Sequence, residues 1–237
     1  MYGLNAVALV FFGCINVSAY RLCKCRHTVR KTAVTVLCSV LLAVNIIRYG
    51  IVYPFIIDEP SIPVEFSTVA YFVVPFILLI SKKNFHAWAA YSGLMAGFFY
   101  YLALIFAGGA MYGDYGPIDV YISMFCHGAI YFCGITVIGT ELCDRKDILG
   151  MAAGVALVAV HAALVRPLVR KNRGLLIYIL LDGICVKRFV PQELWNVVLP
   201  TYYICISLLV LLTIHGFFRR NRKNYGKFTA AKNAQTD

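Results

Sequence analysis

Charged residues are scarce in this chain. Asp, Glu, Lys and Arg make up 14% of its 237 residues, whereas hydrophobic residues make up 61%. Soluble domains are nearer a quarter charged and half apolar. Helical bilayer crossings of roughly 20 apolar residues would use most of the chain, which excludes a separate soluble domain. The composition predicts one multi-pass, all-α membrane domain over residues 1–237.

Several motifs that carry chemistry are also missing. No set of His, Cys and carboxylate residues has the spacing of metal ligands, and no glycine-rich loop is present that could hold a nucleotide phosphate. Most of the nine cysteines lie in apolar stretches, where they act as small apolar residues. We therefore expect no metal, no cofactor and no disulfide framework.

Acidic residues are half as frequent as basic ones, 11 against 22. In a soluble protein the net charge of +11 would suggest a nucleic-acid partner. Here the Lys and Arg residues lie mainly between and after the apolar stretches, which is the topological bias of membrane proteins. The expected partners are membrane lipids, and nucleic acid is not expected.

The apolar stretches predict about seven transmembrane helices. They are Asn5–Tyr20, Ala33–Phe55, Pro63–Ile80, Phe85–Ala107, Ile118–Gly139, Ile148–Val165 and Trp195–Phe218. The basic loops place the N-terminus outside and the C-terminus inside. Residues 219–237 are predicted to form a basic, disordered cytoplasmic tail, and the cell membrane is the expected location.

One apolar segment, Gly174–Val186, is too short for an ordinary crossing. Its length favours a re-entrant or interfacial segment. An eighth crossing is the alternative, but it would move the basic tail to the outside, against the charge bias.

A polar stripe marks the predicted fifth crossing. Asp119, Ser123, His127 and Tyr131 recur at four-residue intervals, so they share one helix face with a drift of about 40° per step. An ionisable side chain within a bilayer usually faces a cavity, a partner or a substrate. His127 would lie near the middle of the hydrocarbon.

Three other polar residues fall at similar depth on other predicted crossings. Arg48 belongs to the second crossing, and Glu65 and Ser67 lie near the outer end of the third. If the helices form a bundle, these groups would line a polar cavity that opens outward. The structural alternatives are a His127 that only bonds a neighbouring helix, and an ion pair between Arg48 and Glu65.

The chemistry of these side chains suggests roles for them. A neutral His suits proton transfer near pH 7 and can activate a hydroxyl as a nucleophile. The arginine fork can hold a phosphate or a carboxylate. We therefore predict Ser67 and His127 as catalytic residues, with Arg48 and Glu65 as substrate-binding residues.

Three short blocks carry a family resemblance. They are Ile62–Ser67, Ala90–Gly97 and Phe125–Gly128, and they resemble conserved segments of the YwaF-type family of small bacterial integral membrane proteins. That family is similar in fold to eukaryotic transmembrane acyltransferases that remodel ether phospholipids with a Cys and a His. By position, Ser67 replaces the Cys, His127 matches the His, and Glu65 stands where the family has another His.

Two functional hypotheses follow. The first is a lipid-modifying enzyme that transfers an acyl group, with Ser67 as nucleophile and His127 as base. It predicts a hydrogen bond between these two side chains, directly or through one water. The second is a transporter or ligand-binding membrane protein that uses the same polar site without covalent chemistry. A retinal pigment is disfavoured because the last crossing, from Leu194 to Phe218, has no lysine.

Overall fold

The computed structural model describes residues 3–56, 62–80, 85–108, 117–169 and 176–233, and these form helices joined by turns, with no strand among them. The α-helices are α1 (Leu4–Cys23), α2 (His27–Ile47), α3 (Phe66–Ile80), α4 (His86–Ala107), α5 (Pro117–Thr140), α6 (Arg145–Val165), α7 (Leu176–Leu181), α8 (Ile184–Phe189) and α9 (Trp195–Asn233). A π-helix, Arg48–Ile56, continues α2.

Six helical stretches are long and apolar enough to cross a membrane. They are Leu4–Cys23, His27–Phe55, His86–Ala107, Ile118–Thr140, Arg145–Leu168 and Gln192–Tyr225. Each contains or overlaps one of the predicted crossings. The fold class is thereby confirmed as all-helical, with the long apolar helices of a multi-pass membrane protein.

The remaining predicted crossing is helical but short. α3 has 15 residues, which corresponds to about 22 Å against a hydrocarbon thickness of about 30 Å. Residues 62–64 are not helical, and the proline at position 63 disfavours the helical conformation of residue 62. The total of seven crossings and the sides on which the termini lie stay predictions.

α4 and α5 form the centre of the bundle. In their most apolar windows 56% and 72% of residues are buried, compared with 6% in α9. Glycines permit the close contact: a Cβ at Gly93 of α4 would collide with the carbonyl oxygen of Ile130, and one at Gly134 of α5 would lie 2.8 Å from the carbonyl oxygen of Ala90. Small residues at such crossings let helix backbones approach.

The bundle has two polar ends. We call the first end the one at which α1 begins and α2 ends; there the Asn5 side chain donates a 2.8 Å hydrogen bond to the carbonyl of Ile105 near the end of α4. At the opposite end, Asn221 of α9 is fully buried. Its amide donates to the carbonyls of Ile138 (3.0 Å) and Glu141 (2.6 Å) and accepts from the Cys143 N–H (2.9 Å). This side chain therefore joins α9 to the turn between α5 and α6.

The short apolar segment forms two small helices at the first end. α7 and α8 have six residues each, about 9 Å in length, so neither can cross a bilayer. Gly183 separates them with a φ of 60°, a left-handed conformation that favours glycine. This geometry disagrees with an eighth crossing and is consistent with a re-entrant or interfacial segment; residues 174 and 175 lie outside the described part.

α9 continues beyond its apolar stretch. Its 39 residues reach Asn233, a length of about 58 Å, so residues 219–233 are helical where a disordered tail was expected. Lys, Arg and Ala in this segment are strong helix formers, which explains the difference. Residues 234–237 lie outside the described part of the chain.

Candidate functional site

His127 lies at the centre of the bundle, on α5, between two tyrosines. Its side chain is buried, with a residue exposure of 6%. The ring of Tyr100 from α4 stacks on the imidazole at 3.6 Å between centroids and 8° between planes. Tyr71 from α3 meets the same imidazole edge-on at 5.1 Å. Three helices therefore fix the orientation of His127.

Both ring nitrogens of His127 have partners. Nδ1 lies 2.9 Å from the carbonyl oxygen of Ser123, which can only accept, so Nδ1 carries the proton and donates. Nε2 is then the acceptor, and the Tyr71 hydroxyl lies 3.1 Å from it. The same hydroxyl also lies 2.6 Å from Nδ1. Both nitrogens of the imidazole thus have partners within the protein.

Arg48 lies at the junction of α2 and the π-helix, toward the first end. Its Nη2 contacts Asp119 Oδ1 at 3.4 Å, and the Arg48 side chain is 12% exposed. Its guanidinium carbon lies 5.0 Å from the ring centroid of Tyr53. Its Nε is buried and has no hydrogen-bond partner among the described residues. Arg48 is thus a buried cation whose donors are only partly used.

The π-helix shapes the surroundings of Arg48. Pro54 lies within it and has no N–H to donate to a preceding carbonyl, which disfavours a regular α-helix. Tyr49, in the same segment, packs edge-on against Phe72 of α3 at 5.5 Å. Short π-helical turns frequently occur at functional sites. Here the segment brings two tyrosines, Tyr49 and Tyr53, beside one arginine.

Arg48 and His127 belong to the same polar cluster. Arg48 is within electrostatic range of Tyr71, Cys126 and His127. The members of this cluster, which we call the Arg48 cluster, are Arg48, Tyr71, Tyr100, Asp119, Ser123 and His127. It combines residues of the π-helix, α3, α4 and α5. No hydrogen bond joins Arg48 to His127 among the described residues, so a shared role for the two side chains stays a prediction.

Ser67 does not contact His127 by a hydrogen bond in the described residues. It is half-buried near the start of α3, and the α3 hydroxyl bonded to His127 belongs to Tyr71, one turn later. The direct bond expected between nucleophile and base is therefore not present. The catalytic role of this pair stays a prediction.

Glu65 is also separate from the Arg48 cluster. Its Oε2 accepts the N–H of Ile177 at 3.2 Å, so the carboxylate caps the start of α7. The alternative of an Arg48–Glu65 ion pair is not what the structure shows, because Arg48 contacts Asp119 instead. Nearby, His161 Nε2 donates to the carbonyl of Pro63 at 2.9 Å. Glu65 thus belongs to the contacts that hold α7 against α3.

A second arginine–aspartate pair lies in this neighbouring region. Arg166 donates two hydrogen bonds to Asp182, at 2.7 and 2.6 Å. Its guanidinium carbon lies 5.0 Å from the ring centroid of Tyr178, whose hydroxyl donates to the carbonyl of Ala162. These hydrogen bonds from the Arg166 guanidinium lower the pKa of the Asp182 carboxyl below its ordinary value.

Two features of the cluster are not evident from the sequence alone. Tyr71 was not selected, because tyrosines are common packing residues, although its four-residue spacing from Ser67 places both on one face of α3. Asp119 is predicted from sequence only as a member of the polar stripe, and its contact with Arg48 depends on how the π-helix and α5 pack. Tyr131, the last residue of the polar stripe, donates to Asn16 Oδ1 of α1 at 3.1 Å. It faces α1 because residues four apart drift around the helix axis.

The predicted outward-opening cavity stays a prediction. A cleft of about 140 Å³ lies at the opposite end, lined by His86, Ala87, Val137, Glu141, Leu142, Cys143, Asp144 and Asp147. There His86 Nδ1 lies 2.9 Å from Glu141 Oε2. Within the described ranges, no group of three or more His, Cys, Asp or Glu side chains is placed to hold a metal ion.

The described residues contain six helices long and apolar enough to cross a membrane, which is the architecture of a multi-pass membrane protein. Comparison with protein-family models, with curated proteins and with solved structures finds no match. The likeness to the YwaF-type family therefore rests on the three short sequence blocks described above.

Proposed function

We propose that this protein binds an anionic amphiphile, such as a phospholipid, through Arg48 and without covalent chemistry. The observation that carries the proposal is the buried Nε of Arg48, which has no hydrogen-bond partner among the described residues. A buried polar group without a partner costs about 1–3 kcal/mol, and more when it is charged. A ligand oxyanion at this position would remove that cost.

The surroundings of Arg48 fit a lipid better than a fully hydrated ion. The tyrosine rings of the π-helix lie on the cation, and neighbouring Ile47 and Ile51 are exposed in a segment apolar enough for a bilayer. Tyr residues are enriched where lipid head groups meet the hydrocarbon. The positive-inside bias assigns the first end to the outer side, so the ligand would come from the outer leaflet. A transporter of such a ligand would also first bind it through Arg48.

Binding can be measured by native mass spectrometry of the detergent-solubilised protein during titration with phosphatidylglycerol. We expect Arg48→Gln to weaken binding at least tenfold, because hydrogen bonds to charged groups contribute about 1.5–3 kcal/mol. Arg166→Gln is the matched control at the same end and should bind like the wild type. Equal binding by wild type and Arg48→Gln would overturn the proposal.

Two further ligands test whether the oxyanion belongs to a lipid head group or to a soluble anion. Phosphatidylcholine, whose head group has no net charge, should bind more weakly than phosphatidylglycerol. Inorganic phosphate should not compete at the same concentration if acyl chains contribute to binding. Competition by phosphate alone would indicate a soluble anion as the ligand and would contradict the lipid proposal.

Acyl transfer is the second candidate, and one observation favours it. Ser67 lies one turn before Tyr71, and the Tyr71 hydroxyl is bonded to His127. Ser67 would take the acyl group of a lipid as an ester, and its proton would reach His127 through Tyr71. The leaving lysolipid alcohol would then take a proton from His127. The YwaF-type resemblance supports the same roles.

The cellular lipid profile distinguishes the two candidates. For binding alone we expect the profile of cells expressing Ser67→Ala to match that of cells expressing the wild type. Acyl transfer instead predicts that Ser67→Ala and His127→Ala change the profile in the same way. Ser67→Ala is the more informative variant, because Ser67 has no hydrogen bond to His127 that the substitution would remove.

A further inference from the structure

Asp119 contacts one of the two nitrogens that form the binding edge of Arg48. The guanidinium offers parallel N–H groups on Nε and Nη2 along one edge, and this edge matches the two oxygens of a carboxylate or phosphate. Asp119 Oδ1 contacts Nη2, one of the two nitrogens of that edge, at 3.4 Å. The Nε side is buried and has no partner in the described residues. The aspartate therefore neutralises Arg48 without satisfying it.

The long contact shows how incompletely the pair is formed. A charge-assisted N–H···O bond is usually about 2.7–2.9 Å long, and Arg166 and Asp182 reach that range with both nitrogens. The Arg48–Asp119 contact is longer and single. A ligand oxyanion that spans Nε and Nη2 would make two bonds where Asp119 makes one.

Asp119 can leave Arg48 at little cost. It lies in the first turn of α5, where the helix dipole stabilises a negative charge. Its side chain is 34% exposed, so the carboxylate is not enclosed by protein and has room to move away from Arg48. Arg48, by contrast, is nearly buried and needs an anion beside it. Arg48 therefore depends on a neighbouring anion, whereas Asp119 does not depend on Arg48.

We propose that Asp119 is an internal competitor for the anion-binding edge of Arg48, displaced when the oxyanion of an amphiphile binds to Nε and Nη2. This inference rests on the proposed function and assigns the ligand a monoanionic phosphodiester or carboxylate head group. One guanidinium balances one negative charge once Asp119 has moved away. The competitor also disfavours uncharged head groups, which cannot replace the carboxylate.

The test compares charge removal at the two aspartates. In the titration with phosphatidylglycerol, Asp119→Asn should bind about tenfold more tightly than the wild type, which corresponds to about 1.4 kcal/mol. Asp182→Asn, the matched control, should bind like the wild type. Asp119→Ser tests the same direction with a smaller side chain if Asp119→Asn does not fold. Unchanged or weaker binding by both Asp119 variants would overturn the inference.

Arg48→Lys and the double variant separate this inference from the proposed function. Lysine keeps the charge but lacks the two parallel N–H donors that bind an oxyanion in a bidentate manner. Arg48→Lys should therefore bind the lipid more weakly than the wild type. In Asp119→Asn/Arg48→Gln the gain should disappear. If Arg48→Gln binds like the wild type, the proposed function fails; if Arg48→Gln loses binding and Asp119→Asn gains nothing, only the competitor role fails.

Discussion

Arg48 and Arg166 lie at the same end of the bundle, and each has an aspartate partner and a tyrosine ring 5.0 Å from its guanidinium carbon. Their hydrogen bonding differs. Arg166 makes two short bonds to Asp182, whereas Arg48 makes one contact of 3.4 Å and leaves a buried Nε without a described partner. The more buried arginine is therefore the less satisfied one.

The difference separates a structural pair from a candidate binding group. Arg166 and Asp182 connect the end of α6 to the turn between α7 and α8, and their geometry is complete without a ligand. Arg48 is held in place by the π-helix and by packing against tyrosines, so its position does not depend on its aspartate. A buried cation that is already in position and still has unused donors can bind an anionic ligand without first rearranging.

The strongest challenge to this comparison is Tyr71→Phe. If the whole Arg48 cluster were loosely satisfied, loss of the Tyr71 hydroxyl would change little. We expect instead a loss of about 1–2 kcal/mol in the free energy of unfolding, because His127 Nε2 would be buried without a donor. Unfolding in mixed detergent micelles measures it, with Tyr131→Phe, whose hydroxyl bonds Asn16, as control. If Tyr71→Phe lowers the free energy of unfolding no more than Tyr131→Phe, the whole Arg48 cluster is loosely bonded, and the incomplete hydrogen bonding of Arg48 does not distinguish it from its neighbours.

Neutralising each aspartate sharpens the comparison. Asp182→Asn should reduce the free energy of unfolding by up to about 1 kcal/mol, since the pair is well aligned but partly exposed and screened by salt. Asp119→Asn should reduce it by at least as much, because the substitution leaves the nearly buried Arg48 without its anion. Thermal unfolding without added lipid, at low and high salt, measures both. A clearly smaller loss for Asp119→Asn would show that Arg48 does not depend on its aspartate.

Acid should remove the contribution of Asp182. The pKa of this carboxyl is lowered in the folded protein by Arg166, so the stabilisation is fully present above the ordinary Asp value of about 4 and disappears as the pH falls through the lowered value. The stability difference between wild type and Asp182→Asn should therefore persist at pH 5 and shrink below about pH 4. A difference that is constant from pH 7 to pH 3 would show that the effect is not electrostatic.

The smallest effect is expected at Ser67. Because Ser67 is half-buried and has no hydrogen bond to His127, Ser67→Ala should change the free energy of unfolding by less than about 0.5 kcal/mol. Measured beside Tyr71→Phe, it tests which hydroxyl of α3 supports His127. A loss equal to that of Tyr71→Phe would place Ser67 in the Arg48 cluster after all.

Several elements follow directly from the order of residues. The run from Ala33 to Phe55 was predicted as one apolar helix, and α2 with its π-helical continuation covers that run. His127 and Arg48 were selected because charged or ionisable side chains are rare in apolar helices. Both predictions use local properties, hydropathy and position along a helix, which need no knowledge of the neighbours.

The partners of these side chains could not be predicted in the same way. Glu65 and Asp119 are both carboxylates near the first end; the sequence suggests Glu65 as an ion-pair partner of Arg48, whereas the structure shows Asp119. The choice depends on the rotation of each helix about its axis and on which helices are adjacent. Tyr71 acquires its importance in the same manner, since only the packing of α3 beside α5 brings its hydroxyl to His127.

By itself, the sequence determined that the chain is helical and apolar enough for several membrane crossings, because a bilayer requires long uncharged segments that satisfy their own backbone hydrogen bonds. It also determined that His127 and Arg48 are unusual within those segments. Only the tertiary structure decided that Glu65 caps α7, that Asp182 satisfies Arg166, and that Asp119 leaves Arg48 half-satisfied. These outcomes depend on distances of a few ångströms between side chains far apart in the chain, which helix packing sets and local sequence does not.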